Sequence, residues 1–302
     1  MSHFSSLWID KADAKSVLSQ RIEQNPDLKV LEKNLIEFID NGFTVIEYAV
    51  SHRLVDQYLA DFESLLQNHQ SGCLASVPVH GPEDKVMVPA HQADRQSPLT
   101  KYLDTFHFSE YAKQLTLNRK AVNFLKTIFD EIPLCFQSLH FERGSTQAIH
   151  QDTAYVVVDH PLNLAASWIA LEDVSPGSGE LAYYPGSHRF ADHLYSGRFK
   201  HFNHERDDHQ QHLDHLNSLN EKAEALGLTL QKFTPKKGDM LIWHADLAHG
   251  GMPIENPDLT RRSYVSHYCG VSRTPKYVQY LPEDKRRRFD YPPHGQFSTM
   301  YY

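Results

Sequence analysis

The sequence predicts a mainly β domain with helices packed outside it, and three observations carry that reading. Apolar residues at helical spacing, Leu54, Val55, Tyr58, Leu59, Phe62, Leu65 and Leu66, fall early in the chain. From Leu134 onward the texture changes to short β-branched and aromatic runs punctuated by Gly177-Ser178-Gly179, Pro185-Gly186 and Gly250-Gly251. Helices come first and strands later, without strand–helix alternation, which argues against a nucleotide-binding parallel sheet. Neither a GxGxxG run nor a phosphate-binding loop is present, and there is no internal repeat.

Residues 1–33 are polar and mixed, and a turn or two of helix is expected there. Leu35 to Ile46 reads as a short helix ending near Gly42, whose left-handed cap glycine allows, followed by a strand. Ser51 is placed to cap the amphipathic helix that follows. Residues 70–98 hold Pro78, Gly81, Pro82, Pro89 and Pro98 and read as a long loop with short strands. Two helices are predicted near 109–116 and 118–130, stopped by Pro133. Strands are then predicted at 134–142, 147–158, 164–172, 180–184, 229–233, 238–244 and 261–269. Residues 190–228 form an insertion rich in His, Asn, Asp and Gln, with a helical stripe from Leu216 to Leu226. A segment this long between strands is expected to be a functional lid or a mobile segment. The expected organisation is one domain over 1–302: a mostly helical part (1–133), a β core (134–270) carrying the 190–228 insertion, and a C-terminal extension (271–302).

Bulk properties narrow the function classes. Hydrophobic residues make up 40% and charged residues 23%, as in ordinary globular proteins. A net charge of −8 argues against a nucleic-acid partner. No apolar run is long enough for a bilayer, so no membrane association is expected. Met1 to Trp8 lacks a basic segment followed by an apolar one, so no signal peptide is expected. Cys73, Cys135 and Cys269 form no CxxC motif, which suggests a reduced, cytoplasmic chain.

The chemistry concentrates in His150, Asp152 and His249. If His150-Gln151-Asp152 lies on a strand, residues two apart share a face, and an imidazole and a carboxylate stand side by side. His249 lies far downstream, before Gly250-Gly251. Two imidazoles and one carboxylate with positions left open suit non-haem Fe(II), as in enzymes that activate O2. Such an enzyme needs an electron donor, commonly 2-oxoglutarate, and a cation for that molecule's distal carboxylate. Arginine suits the task through its bidentate fork. Arg261 opens the strand Arg261-Arg262-Ser263-Tyr264-Val265-Ser266-His267-Tyr268, and alternation puts Arg261, Ser263, Val265 and His267 on one face. With that face inward, Ser263 is a second donor beside Arg261; the opposite register would send Arg262 inward.

At this point the chain resembles the phytanoyl-CoA dioxygenase family of Fe(II)/2-oxoglutarate-dependent oxygenases, over residues 35–270. Four segments carry the resemblance: Asp40 to Ile46, the His150-Gln151-Asp152 motif, the block Gly179 to Arg189 containing Pro185-Gly186-Ser187-His188, and Gly238-Asp239 through His249-Gly250 with the arginine strand after it. The resemblance implies a double-stranded β-helix, a jelly-roll barrel of the cupin kind. It implies that His150, Asp152 and His249 bind iron, that Trp168 lines the co-substrate pocket, and that Gln151 and Gln137 neighbour the site. The small hydroxyl residue that the family usually places two after the distal histidine is Gly251 here. Related halogenases have a small residue in place of the acid; Asp152 therefore points to hydroxylation or a related oxidation of a small-molecule substrate, with release of succinate and CO2.

Blander readings stand beside these. His244 is a rival to His249, and His188 is expected to shape a turn. His209, His212 and His215 could form a second metal site, though a solvated lid is preferred. Lys285-Arg286-Arg287-Arg288 is read as a surface turn rather than a phosphate grip. The aromatic tail, from Tyr277 to Tyr302, is expected to pack over the barrel mouth or mediate a homodimer. Two other function classes remain open from sequence: a catalytically silent metabolite-binding barrel, and a cupin-like metal hydrolase or isomerase.

Overall fold

The N-terminal helices form where apolar spacing and capping agree. The computed structural model describes residues 4, 7–79, 85–276, 287–299 and 301–302. Helix α1 (Ala14–Gln24) is longer than the turn or two expected. Helix α2 (Glu32–Asn41) ends on Gly42 at φ +78°, and strand β1 (Phe43–Ile46) follows at once. No other residue fits at Gly42, because a Cβ there would lie 2.5 Å from the His188 ring. Helix α3 (His52–Gln67) starts at Ser51, whose hydroxyl accepts from Leu54 N, and it buries Val55, Tyr58 and Phe62. Such a cap contributes about 1 kcal/mol. Strands β2 (Leu74–Pro78), β3 (Lys85–Pro89) and β4 (Lys101–Leu103) then lead to helices α4 (Glu110–Thr116) and α5 (Arg119–Phe129).

The β core follows with β5 (Pro133–Phe141), β6 (Ala165–Ala170) and β7 (Leu181–Tyr183). The insertion carries helix α6 (His209–Ala225), capped by Asp208 and beginning seven residues before the predicted stripe. Strands β8 (Gln231–Phe233), β9 (Met240–His244), β10 (His249–Gly251) and β11 (Ser263–Gly270) complete the core, and β12 (Arg287–Tyr291) with β13 (Gly295–Thr299) forms a hairpin. Of the basic run, Lys285 and Arg286 lie outside the described residues, as do Tyr277 and Tyr280 of the tail. Arg288 donates to the carbonyls of Val271 and Arg273.

Among the described residues, two sheets face each other as a jelly roll. The larger runs β1-β9-β6-β11-β5-β4-β2-β3, with β13 also on β5 and β12 on β13; the smaller is β10-β7-β8. The N-terminal strands thus widen the large sheet beyond β5. Register decides what faces inward. Val265 stands opposite Leu139 on one side and Trp168 on the other, and Trp168 stands opposite Leu241. Paired residues share a face, so these side chains, with Phe43, Phe141 and Trp243, form the inner cluster that meets Leu181, Tyr183 and Phe233 of the small sheet. The outer face of the large sheet packs on the helices through Tyr58, Phe62, Tyr102, Ile169, Tyr264 and Tyr268.

One expected strand is absent. Within 147–158, His150 and Val158 each make an isolated bridge and Asp152–Ala154 is a 3-10 turn. The amides of Tyr155 and Val156 both donate to the Asp152 carbonyl, so a local turn overrides the β propensity of Tyr155 to Val158.

A polar network ties α3 to the outer face of β5. His140 donates through Nε2 to Glu142 at 2.8 Å, accepts from the Tyr58 hydroxyl at Nδ1, and stacks on Phe62 at 3.9 Å. Burial raises the Glu142 carboxyl, but the His140 bond and Arg95 outweigh it and bring it down to about 2. A carboxyl depressed in the folded state stabilises above its unfolded pKa of roughly 4.3, and that contribution, on the order of 3 kcal/mol, is lost as pH falls towards about 2. Urea titrations from pH 7 down to 2.5 are expected to show this acid limb in the native protein. Glu142→Gln is expected to lower neutral-pH stability and flatten the limb; an unchanged limb would show that Glu142 does not drive it.

Candidate active site

Backbone pairing brings the two distant histidines together. His150 N donates to His249 O and His249 N to His150 O, each at 2.9 Å, a reciprocal antiparallel pair that places both side chains on one face. The approach is close because residues 250 and 251 lack side chains. A Cβ on Gly250 would meet Gln147 O at 2.7 Å, and one on Gly251 would meet Ser145 Oγ at 2.8 Å. The turn starting at Asp152 then aims its carboxylate between the rings. Oδ1 lies 3.6 Å from His150 Nε2 and 3.6 Å from His249 Nε2. One ligand atom from each residue lies within 4.8 Å of the others; among the described residues this is the one such metal-capable group.

Partners fix the chemical state of each group. His150 Nδ1 pairs with Ala148 O and His249 Nδ1 with Leu247 O, both at 2.8 Å. Each imidazole therefore carries its proton on Nδ1 and offers a lone pair at Nε2. Burial pushes His249 down to about 4, so the ring is neutral at physiological pH. Burial alone would raise the Asp152 carboxyl, but His249, His150 and His267 outweigh it and hold it well below the usual carboxylate range. Trp243 Nε1 donates to Asp152 Oδ2 at 2.8 Å, and His267 Nε2 lies 3.7 Å from the same oxygen.

A cavity of about 330 Å³ contains this cluster. At its inner wall Arg261, Trp168, Leu181 and Val265 line it. Arg261 is buried, with Nη1 donating to Gly179 O at 2.8 Å and its guanidinium 5.7 Å from the Trp168 ring. Burial lowers it to about 10, with Glu180 opposing, and it stays a cation. Arg261 Nε, Trp168 Nε1 and Ser263 Oγ are all buried without a partner. Ser263 stands opposite Phe141 and Ala170 on the same inner face, although it does not itself line the cavity. Arg262 instead pairs with Glu172 at 2.8 Å, half-exposed. Strand β11 begins at Ser263, so Arg261 enters the inner face just before the strand rather than on it.

The remaining expectations divide. Gln137 lines the cavity and donates to the Tyr301 hydroxyl. The Gln151 amide turns away to the Asp246 carbonyl at 2.6 Å. His244 lies apart, paired with Asp10 at 3.2 Å. His188 packs on Gly42, while Ser187 accepts from Ala248 N and steadies the residue before His249. His267, Trp243, Gln147 and Tyr155 went unassigned from sequence. Of these only His267 left a signal, its place on the Arg261 face.

The insertion is built into this site rather than solvated. His212 hydrogen-bonds the Tyr155 hydroxyl through Nε2 at 3.0 Å and the Tyr195 hydroxyl through Nδ1 at 2.7 Å, and Tyr155 lines the cavity. His212 and His215 are buried, and His209, His212 and His215 form no metal-capable group. Lys200 is buried between Asp192 and Asp246.

These elements agree with what is known of other proteins. Among protein families, Phytanoyl-CoA dioxygenase (PhyH) matches residues 38–263, about three quarters of the chain. The chain belongs to the phytanoyl-CoA dioxygenase family. No curated protein matches it significantly. Solved structures share its fold at low identity. The epimerase SnoN from nogalamycin biosynthesis, in complex with Fe3+, alpha ketoglutarate and nogalamycin RO, has a TM-score of 0.62 at 17% identity, covering 88% of this chain and 94% of that one. The carbocyclase SnoK from the same biosynthesis gives 0.56 at 16%, covering 81% and 85%. EctD from S. alaskensis with 2-oxoglutarate and 5-hydroxyectoine gives 0.54 at 18%, covering 78% and 75%. Iron and 2-oxoglutarate are the cofactors of this family, and the residues present fit both. Two imidazoles offering Nε2 lone pairs and an ionised carboxylate suit Fe(II), and the buried unpartnered donors of Arg261, Trp168 and Ser263 suit a carboxylate.

Asp246 also holds Thr153 Oγ1 at 2.6 Å and, through its carbonyl, Gln151, the two residues after and before Asp152. Lys200→Met would remove the buried cation between Asp192 and Asp246. It is expected to reduce the unfolding free energy by about 3–5 kcal/mol in urea titrations; a loss under about 1 kcal/mol would show that the ion cluster is dispensable.

Proposed function

We propose that this protein hydroxylates an unactivated C–H bond of a small-molecule metabolite as an Fe(II)/2-oxoglutarate-dependent dioxygenase. The observation that carries the reading is the convergence of His150, Asp152 and His249 in the same cavity as the buried, under-partnered Arg261. His150 Nε2, His249 Nε2 and one Asp152 oxygen would hold the iron. Arg261 would take the distal carboxylate of 2-oxoglutarate, with Ser263 and Trp168 as neighbouring donors. Gln137 and Gln151 support the site from its edge. Bound iron and 2-oxoglutarate supply the oxidising power: O2 is consumed, 2-oxoglutarate is converted to succinate and CO2, and one oxygen atom goes to the substrate.

The protein's own contribution is to orient and to exclude water. The ionised Asp152 and the Nδ1-protonated histidines present three lone pairs to one point with no further proton transfer needed. Leu139, Phe141, Leu181 and Val265 wall the co-substrate side with apolar surface, which strengthens the Arg261–carboxylate attraction. Further lining comes from the added strands and the tail, through Ser76, Lys101, Leu103 and Tyr301, and from Tyr155. Substrate selection is assigned to that side.

The test is conversion of 2-oxoglutarate to succinate with ferrous iron and ascorbate, with product analysis after metabolite screening. His150→Ala and Asp152→Ala are expected to abolish it; full turnover in either would sink the site assignment. Succinate formation with an isomerised or cyclised product would replace hydroxylation with another oxidation on the same cofactors. No 2-oxoglutarate consumption, with metabolite binding or zinc-dependent hydrolysis instead, would favour the silent barrel or the cupin-like hydrolase.

The register of the arginine strand is tested separately. Arg261→Ala removes charge-assisted bonds worth about 1.5–3 kcal/mol, so the 2-oxoglutarate requirement is expected to rise roughly 10- to 100-fold. Arg262→Ala is expected to leave it within about twofold. The reverse pattern in KM measurements would exchange the two roles.

A further inference from the structure

The two carboxylate oxygens of Asp152 have different surroundings. Oδ1 faces His150 Nε2 and His249 Nε2 at 3.6 Å each. Oδ2 accepts from Trp243 Nε1 at 2.8 Å, with His267 Nε2 at 3.7 Å. An indole N–H is a donor only, so this contact has one polarity. Its direction is set by the sheet. Trp243 is buried on β9, between Phe43 of β1 and Ala166 of β6, and its ring lies against His249 at 5.1 Å. The inner-face neighbours Phe43 and Leu241 are apolar and make no demand for a donor here. The N–H is therefore explained by Asp152 and not by packing.

We propose that Trp243 is a positioning residue that keeps Asp152 a one-oxygen ligand and so preserves the coordination position dioxygen needs. This rests on the metal-centre reading above. An octahedral ion offers six positions. Two imidazoles and one carboxylate oxygen fill three, a 2-oxoglutarate chelate fills two, and one is left. Carboxylates also bind metals through both oxygens. Asp152 in that mode would fill the sixth position. A buried charge-assisted hydrogen bond on Oδ2 opposes the rotation that would bring it to the metal.

Two replacements separate the N–H from the ring. Trp243→Phe removes both the donor and ring volume. Substituting benzothienylalanine at Trp243 keeps the bicyclic shape and puts sulfur where the N–H was, so it carries the decision if the Phe variant does not fold. Each protein is loaded anaerobically with Fe(II) and 2-oxoglutarate and titrated with nitric oxide as a stand-in for dioxygen, read by electron paramagnetic resonance. The expected result is Fe(II) and 2-oxoglutarate affinities within about threefold of the native protein and nitric oxide affinity weakened about tenfold or more in both variants. Unchanged nitric oxide affinity in the sulfur analogue overturns the proposal, including where the Phe variant alone loses it, because ring volume would then be the cause. Failure of the native protein to bind Fe(II) overturns the metal-centre reading itself, and is distinguishable because it appears before any substitution.

Discussion

The site depends on keeping one carboxylate ionised out of water. Asp152 is buried, and burial by itself drives a carboxyl towards its neutral form. A neutral acid would be a poor metal ligand and would leave three imidazole nitrogens facing a dipole. The Trp243 N–H of β9 donates to the Asp152 carboxylate, and the imidazoles of His150 at a bridge, His249 of β10 and His267 of β11 stand around it. Four parts of the chain, more than a hundred residues apart at the extremes, must arrive together to build this cluster. The jelly roll does this because its two sheets face each other across a single cluster, with His249 on one and Trp243 and His267 on the other.

Sheet register is the second constraint. On β11, Val265 and His267 stand with Arg261 and Ser263 on the inner face, while Tyr264 and Tyr268 pack outward against the helices. A slip of one residue would exchange the two sets and place Arg262 in the cavity. The slip is opposed from both faces. Arg262 is held outside by Glu172, and Tyr264 and Tyr268 make buried hydrogen bonds to Ser138 and Thr116. The helical layer thereby helps to fix which arginine enters the cavity.

Much of this was legible in the sequence where local physics decides. Gly42 ends a helix, Ser51 caps one, and the alternation from Arg261 to Tyr268 assigns faces, because capping and period-two patterning act over a few residues. The triad was legible for a different reason, since its spacing matches one family. The strand expected at 147–158 was misjudged because Gly250 and Gly251 let the chain press against β10 at one residue and then turn, a choice made by a segment about a hundred residues away. Trp243 was invisible for the same reason. Nothing near it in sequence indicates that its N–H meets a carboxylate 91 residues upstream. The insertion read as solvated from its polar composition, yet His212 is buried by two tyrosines, one close in sequence and one distant.

The connection between insertion and site bears on how this fold separates reaction from selection. Among the described residues, the groups assigned to iron and 2-oxoglutarate sit on the two facing sheets and on the turn at Asp152. The added strands β2–β4 and the tail line further parts of the cavity, and the insertion supports it through Tyr155. A wholly independent lid could vary freely, but this one is anchored. Lys200 binds Asp246, and Asp246 holds Thr153 and Gln151 on either side of Asp152. Tyr155, three residues after Asp152, contributes to the cavity wall and hydrogen-bonds His212 of α6. A substrate that displaced Tyr155 or α6 would therefore act on the segment that aims Asp152. The insertion's anchor, the cavity wall at Tyr155 and the segment that aims Asp152 thus share the same few residues.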